Sequence, residues 1–174
     1  MTTIPTLTTE RLTLRAPMAA DFDALRAFHS SDRSHFVGGP FTEAESFDYL
    51  CKVIGHWTMR GYGRWVVTLT GAEDRPLGLV GPYYPSDWPE PEIAWTLWQG
   101  AEGKGIATEA AHAARSFAYE TLGWTTAVSM IAPKNVRSIA LAERLGCTRD
   151  GAFDHERFGR LDMWRHPARA EVPA

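Results

Sequence analysis

The chain has 174 residues, 44% hydrophobic and 22% charged, with a formal net charge of −3, which suits one folded domain with a sizeable core rather than a disordered or collagen-like chain. No basic cluster speaks for nucleic acid, and neither a membrane-length apolar run nor a signal-peptide block is present, so a cytoplasmic protein with no membrane partner is expected. Cys51 and Cys147 are the only cysteines and are expected as free thiols, and the six histidines show no metal-ligand spacing, so no metal is expected.

In chain order, Glu10 to Arg15 alternates apolar and polar, as a half-buried strand does, and Pro17 ends it. Asp21 to His29 carries Phe22, Leu25 and Phe28 at helical spacing with Asp21 as its cap. A loop from Ser30 runs to Gly38-Gly39-Pro40. Thr42 and Glu45 form a capping box ahead of a stripe of Phe47, Leu50, Cys51, Ile54 and Trp57, and Gly61-Tyr62-Gly63 stops that second helix. Arg64–Thr70 and Leu77–Gly81 read as a strand pair around a turn. Pro82 to Pro91 holds four prolines and is expected to be irregular. Glu92 to Leu97 is a strand, Ile106 to Leu122 a helix with an alanine-rich face, and Gly123 its stop. Thr126 to Ile131 is the next strand, ended by Pro133. Asn135 caps a helix over Val136 to Leu145 that closes at Gly146, and two strands follow, Cys147 to Phe153 and Leu161 to Trp164. The order β-α-α-β-β-β-α-β-α-β-β, without repeats or linkers, predicts one mixed α/β domain over 1–174 with its core at about 8–166.

The most informative stretch is Glu102-Gly103-Lys104-Gly105-Ile106-Ala107-Thr108-Glu109-Ala110. A strand feeds a glycine loop, and the loop opens a helix whose first N–H groups and positive dipole end make an anion site, with phosphate the usual guest. A dinucleotide loop needs a third glycine where Thr108 stands. A P-loop needs a glycine where Trp98 stands and a Ser or Thr where Gly105 or Ile106 stands.

The remaining pattern, Gly103-x-Gly105-x-Ala107, resembles the pyrophosphate loop of the GNAT N-acetyltransferase superfamily. Two further stretches are similar to its RimJ/RimL-like members: Asn135-x-x-Ser138 followed by Leu141-Ala142-Glu143-Arg144-Leu145-Gly146, and Glu92-Ile93-Ala94-Trp95 on the strand before the loop. The element order matches that fold over nearly the whole chain, which implies a mixed, mostly antiparallel sheet of about seven strands with helices on both faces. Two positions depart from the pattern. Glu102 stands where the family prefers Gln or Arg and sets an acidic side chain beside the expected pyrophosphate, for which Lys104 is the expected compensation. Ala142 stands where many members carry a tyrosine acid.

The resemblance implies acetyl-CoA as cosubstrate, held by Trp95, Thr96, Leu97, Gly103, Lys104, Gly105, Ile106, Ala107, Thr108, Asn135 and Ser138, with the pantetheine laid in a gap between two splayed strands like an added strand. A free N–H around Leu97 would polarise the thioester. Transfer to an amine needs a base and a proton for the leaving thiolate. Glu92 is the expected base, acting through water, or else a plain strand-end glutamate; Ser138 is by resemblance the acid, or else a first-turn serine bonding backbone. Arg33, Phe36 and Tyr83 are expected at the acceptor pocket, and His155 reads as a solvated turn residue or a base at the mouth. The implied function is acetyl transfer to a primary amine of a small molecule or of a protein or peptide N-terminus, by a monomer or homodimer. The alternative is a non-catalytic acyl-CoA-binding module.

Overall fold

The computed structural model describes residues 3–171. One eight-stranded sheet crosses the molecule, with strands β1 (Leu7–Thr8), β2 (Leu12–Arg15), β3 (Trp65–Leu69), β4 (Gly78–Tyr83), β5 (Glu92–Leu97), β6 (Val128–Ile131), β7 (Thr148–His155) and β8 (Gly159–Arg165). Their order is β1-β2-β3-β4-β5-β6-β8-β7, and every neighbouring pair is antiparallel except β5 with β6. The four α-helices are α1 (Phe22–His29), α2 (Glu43–Arg60), α3 (Ile106–Glu120) and α4 (Val136–Arg144). Sequence periodicity places all four, and the sheet gains one strand over the expected seven. That strand, β1, is two residues long and too short to show alternation.

Period-two alternation decides which side chains meet which helices. Leu12, Leu14, Trp65, Val67 and Ile93 bury on the face covered by α3 and α4, against Ala110, Ala111, Ala114 and Ala118 of α3. Small alanines let that helix lie close to the sheet. Val66 and Leu79 point the other way and pack with Leu25 and Phe28 of α1 and Leu50 and Val53 of α2. Each buried Leu or Val contributes about 1.5–3 kcal/mol of transfer free energy, so the two clusters together drive the sandwich.

The helix ends follow their local chemistry. Thr42 Oγ1 accepts from Glu45 N–H at 3.2 Å while Glu45 Oε2 accepts from Thr42 N–H at 2.8 Å, and Gly61 closes α2 in the left-handed region at φ 76°. Asn135 Oδ1 accepts from Ser138 N–H at 3.3 Å and so caps α4. Asp21 does not cap α1. Its carboxylate makes a two-pronged ion pair with Arg15 (2.6 and 3.0 Å) and accepts from Met18 N–H at 2.8 Å. The demand of a buried arginine outweighs one helix N–H, and the pair ties the end of β2 to the start of α1.

β4 extends beyond the expected Gly81 to Tyr83, through Pro82. Pro82 pairs with Ile93 at a level that β3, starting at Trp65 opposite Val80, no longer reaches, so the missing N–H removes no ladder bond on that side.

Candidate active site

β5 and β6 share one registered pair, Glu92 with Val128, and then part. Parallel strands that part leave unpaired backbone on both facing edges. Trp98 N–H donates to Leu77 C=O at 2.8 Å, so alternation turns Thr96 toward β4 and turns the N–H and C=O of Trp95 and Leu97 toward the gap. Where the strands part they are cross-tied by side chains. Ser129 Oγ donates to Ile93 C=O at 2.6 Å and lies 3.0 Å from His166 Nε2. The serine proton being committed, His166 donates from Nε2, and its Nδ1 faces Arg115 Nη1 at 3.4 Å. Burial first, and then Arg115, hold His166 neutral with a pKa pushed down to about 3.

Two cavities open on either side of the gap and share Trp95, Thr96, Asn135 and Ser138 in their walls. The larger, about 910 Å³, is lined by the glycine loop and the start of α3. The loop turns through two left-handed glycines, Gly103 (φ 72°) and Gly105 (φ 76°), a conformation that other residues adopt only with strain. The first ladder bond of the helix runs from Glu109 N–H to Gly105 C=O at 3.1 Å, so the N–H groups of Ile106, Ala107 and Thr108 have no helical partner. These donors, with the dipole behind them and a long groove in front, fit the pyrophosphate of coenzyme A.

Trp95, Thr96, Leu97, Gly103, Gly105, Ile106, Ala107, Thr108, Asn135 and Ser138 all line this groove. Lys104 does not. Its Nζ donates to Gly100 C=O at 2.7 Å and its own carbonyl accepts from Arg11 Nη1 at 3.0 Å, so it does not offset Glu102. That role falls to Arg33 and Arg137, both hydrogen-bonded to Glu102 Oε1, the latter at 3.2 Å. Arg33, expected beside Tyr83, therefore lines this groove instead. The 3-10 turn over Asp32–Val37 carries it there, and the pull of Glu102, invisible to local pattern, sets its direction.

The smaller cavity, about 400 Å³, lies on the other side of the gap and holds Glu92, Tyr83 and Ser138 together. Phe36 borders both cavities. Glu92, the first residue of β5, is 5% exposed, and its Oε2 accepts from Met130 N–H at 3.0 Å. Burial raises its pKa to about 7, against the opposing pull of that hydrogen bond and of Arg64. It is no plain strand-end glutamate. Across the gap, Trp95 Nε1–H donates to Ser138 Oγ at 3.2 Å. The serine accepts there and keeps its proton to give.

His155 does not lie free in a solvated turn. Its side chain is 7% exposed and its Nε2 lies 3.1 Å from Asp87 Oδ2. Nδ1 accepts the N–H groups of Arg157 and Phe158 at 3.0 and 3.3 Å, which consumes the lone pair that a base would use. Sequence reasoning passed over Arg64, whose guanidinium lines this cavity at 5% residual exposure. A single arginine at the start of a strand gives no pattern to notice. Among the described residues no cluster of potential metal ligands occurs, and no helix is long and apolar enough to cross a membrane.

Comparison with known proteins agrees with this geometry. The family described as "Acetyltransferase (GNAT) domain" matches residues 11–148. A crystal structure of an acetyltransferase from Agrobacterium tumefaciens is 40% identical, with 95% of each chain covered and a TM-score of 0.86. A curated relative from Bacillus licheniformis, the uncharacterized N-acetyltransferase p20, is 27% identical over 161 residues, 90% of both chains. The spermidine N-acetyltransferase of Vibrio cholerae, solved with CoA and spermine, is 20% identical over 94% of this chain and 98% of its own, with a TM-score of 0.73, and shares the fold. The match over most of the chain, together with the 40% identity to a solved acetyltransferase, places this chain in the GNAT acetyltransferase family, whose members take their acetyl group from acetyl-CoA.

Proposed function

We propose that the chain transfers the acetyl group of acetyl-CoA to a primary amine, of a small molecule or of a peptide or protein N-terminus, by direct attack on the thioester. The observation that carries this reading is the parting of β5 from β6 after one pair, with Glu92 on one wall of the gap and Ser138 on the other. The exposed edge of Trp95 and Leu97 receives an extended pantetheine arm as a sheet receives a strand. The free N–H groups at the start of α3, with Arg33 and Arg137 beside them, hold the phosphates.

The amine nitrogen attacks the thioester carbon and the C–S bond breaks. The proton lost by nitrogen passes through water to the Glu92 carboxylate, whose raised pKa matches it to an amine proton near neutral pH. An α-amine, with a pKa of about 7.7–8.0, needs only weak assistance. A backbone N–H at the gap, Leu97 the nearest by alternation, faces the developing oxyanion. The Ser138 hydroxyl, fixed by Trp95, gives its proton to the departing sulfur and takes one back from water in the open groove.

The test is release of free CoA thiol from acetyl-CoA with a panel of amines and short peptides. Acceptor-dependent release is expected. A Glu92→Gln, Ser138→Ala double variant retaining the full rate would show that the catalytic groups lie elsewhere.

A further inference from the structure

Arg64 is buried, charged at every accessible pH, and unpaired by any carboxylate among the described residues. Buried arginines are rarely left so, because taking a charge out of water without a counter-ion is costly. Its side chain makes one hydrogen bond, from Nη1 to Tyr49 Oη at 3.0 Å. Its planar face lies on Tyr83, 4.4 Å from the ring centroid, with Tyr49 at 5.3 Å. The other edge of the guanidinium borders the 400 Å³ cavity, close enough to Glu92 to act on its charge.

The backbone beneath Arg64 is fixed. Its carbonyl accepts from Trp57 Nε1–H at 3.1 Å. A Cβ on neighbouring Gly63 would lie 2.7 Å from the Trp57 ring, and one on Gly81 would lie 2.8 Å from Arg64 Cα, so glycine at both places lets α2, β3 and β4 close around it. Other carboxylates on the cavity wall have separate engagements. Glu45 completes the capping box of α2 and Asp87 bonds His155, while Asp48 stands at the exposed rim. The rest of the wall carries the rings of Phe36, Phe41, Trp88 and Phe158 among aliphatic and small polar side chains, and two further cations, Lys52 and Arg157, neither of them buried as Arg64 is.

We propose that Arg64 anchors a carboxylate of the acceptor, and that the acceptor is a free α-amino acid or a similarly short amino-carboxylate with an apolar side chain. The carboxylate pairs with the open edge of the guanidinium, which the Tyr83 and Tyr49 rings hold in plane. The amine beside it is then delivered to the Glu92 side of the same cavity, and the apolar side chain lies among the aromatic rings. A small amino-carboxylate is favoured because one cavity holds both Arg64 and the base. A peptide N-terminus carries an amide where this anchor expects a charge, and a polyamine would bring a cation against Arg64. The proposal rests on the acetyltransferase reading and narrows its acceptor.

The test uses the unmodified enzyme with matched acceptors: L-methionine and L-phenylalanine, their carboxamides, and the corresponding amines lacking the carboxyl group, with spermidine as a polyamine control. Counted per unprotonated amine, because the α-carboxylate makes its amine more basic than that of the carboxamide, each acid is expected to exceed its carboxamide in kcat/KM by about 10- to 100-fold, as a charge-assisted hydrogen bond supplies, mainly through KM. Arg64→Gln is expected to erase that difference, read as the acid-to-carboxamide ratio within the variant because loss of Arg64 also shifts Glu92 for every acceptor, with Arg64→Lys intermediate because it keeps the charge and loses the fork. Should Arg64→Gln fail to fold, as its melting curve will show, the acid–carboxamide comparison on the unmodified enzyme decides alone. Equal rates for acid and carboxamide would overturn the anchor while leaving the acetyltransferase reading intact. Transfer to the carboxyl-free amines but not to the acids would do the same. Transfer to none of these amines would overturn the anchor, and the acetyltransferase reading falls only if the short peptides of the wider panel are also left unacetylated.

Discussion

Glu92 occupies a place where a carboxylate is costly. It is buried beside one backbone N–H donor, and burial outweighs that donor and Arg64 to raise its pKa to about 7. An unfolded glutamate titrates near 4.5, so the folded state binds the proton more tightly. The associated stability is fully present below pH 4.5 and is lost as pH rises through 7, an effect on the order of 3 kcal/mol. Two outcomes follow for Glu92→Gln. Its kcat/KM falls by about 10²–10⁴-fold, the usual contribution of a positioned base, and the rise of rate through pH 7 disappears from the pH profile. Its melting temperature at pH 8 exceeds that of the unmodified protein, and the gap narrows at pH 5. A variant that lost activity without gaining stability at pH 8 would show that the carboxylate is not desolvated as described. Legibility at this scale was uneven. Glu92 and Ser138 fell on positions marked by the family pattern. Arg33 lines a different cavity from Tyr83 because its direction depends on Glu102, 69 positions along the chain, and Arg64 carries no local signal at all.

At the scale of elements, the glycine loop and α3 work as a unit. Gly103 and Gly105 both sit at positive φ, but a Cβ at Gly103 meets nothing within 4 Å, whereas one at Gly105 comes 3.3 Å from Arg11 Nη2. Backbone strain of about 1–2 kcal/mol applies to both. Only at Gly105, the N-cap residue of α3, does an added side chain also stand at the start of the free N–H row. Gly105→Val is therefore expected to weaken acetyl-CoA binding by at least about tenfold in calorimetry, and Gly103→Ala to lower the melting temperature with a smaller change in affinity. Unchanged affinity in Gly105→Val would remove the loop from the binding site. The capping box of α2 is separable from all of this. Thr42→Ala should cost about 1 kcal/mol of stability in denaturant unfolding, with kinetics unchanged. Elements were legible wherever local chemistry decides them, as at Thr42, Asn135 and the glycines that end helices. They were not legible where a distant partner decides, as when Arg15 takes Asp21 from its helix. Nor were they legible where a rule has an unseen exception, as when Pro82 continues β4 because β3 has already ended.

At the scale of the molecule, the fold keeps several histidines neutral inside it, and that sets how the whole chain answers to acid. Burial is the leading cause in each case. His29 is pushed down to about 4 and His166 to about 3, and His56 and His112 are also lowered. In the unfolded chain these groups take up protons near pH 6.5. Below that pH the unfolded state binds more protons, so the stability they contribute is present above pH 6.5 and is lost as pH falls toward 4. Glu92 opposes them between pH 7 and 4.5, because there the folded state holds the extra proton. Four histidines against one glutamate leave a net uptake on unfolding of up to three protons. The other shifted carboxyls, Glu45, Glu73, Asp87, Glu90 and Glu109, are all lowered, so their contribution is lost only below about pH 4.5 and leaves this window clear. The melting temperature is accordingly expected to fall between pH 6.5 and 4.5, and to fall more steeply in Glu92→Gln, where the opposing proton is gone. Calorimetric scans of the two proteins at half-unit steps measure both slopes. A melting temperature that rose toward pH 5, or parallel slopes for the two proteins, would contradict the placement of these groups. The cross-tie at the gap uses the same neutral state. His166 holds Ser129, and through it Ile93, only while its Nδ1 remains unprotonated facing Arg115. Because folded His166 stays neutral down to about pH 3, the tie outlasts the fall in melting temperature, and acetyl-CoA affinity of the folded protein is expected to hold in calorimetry between pH 6.5 and 4.5; a decline parallel to the melting temperature would show that His166 is not buried as described.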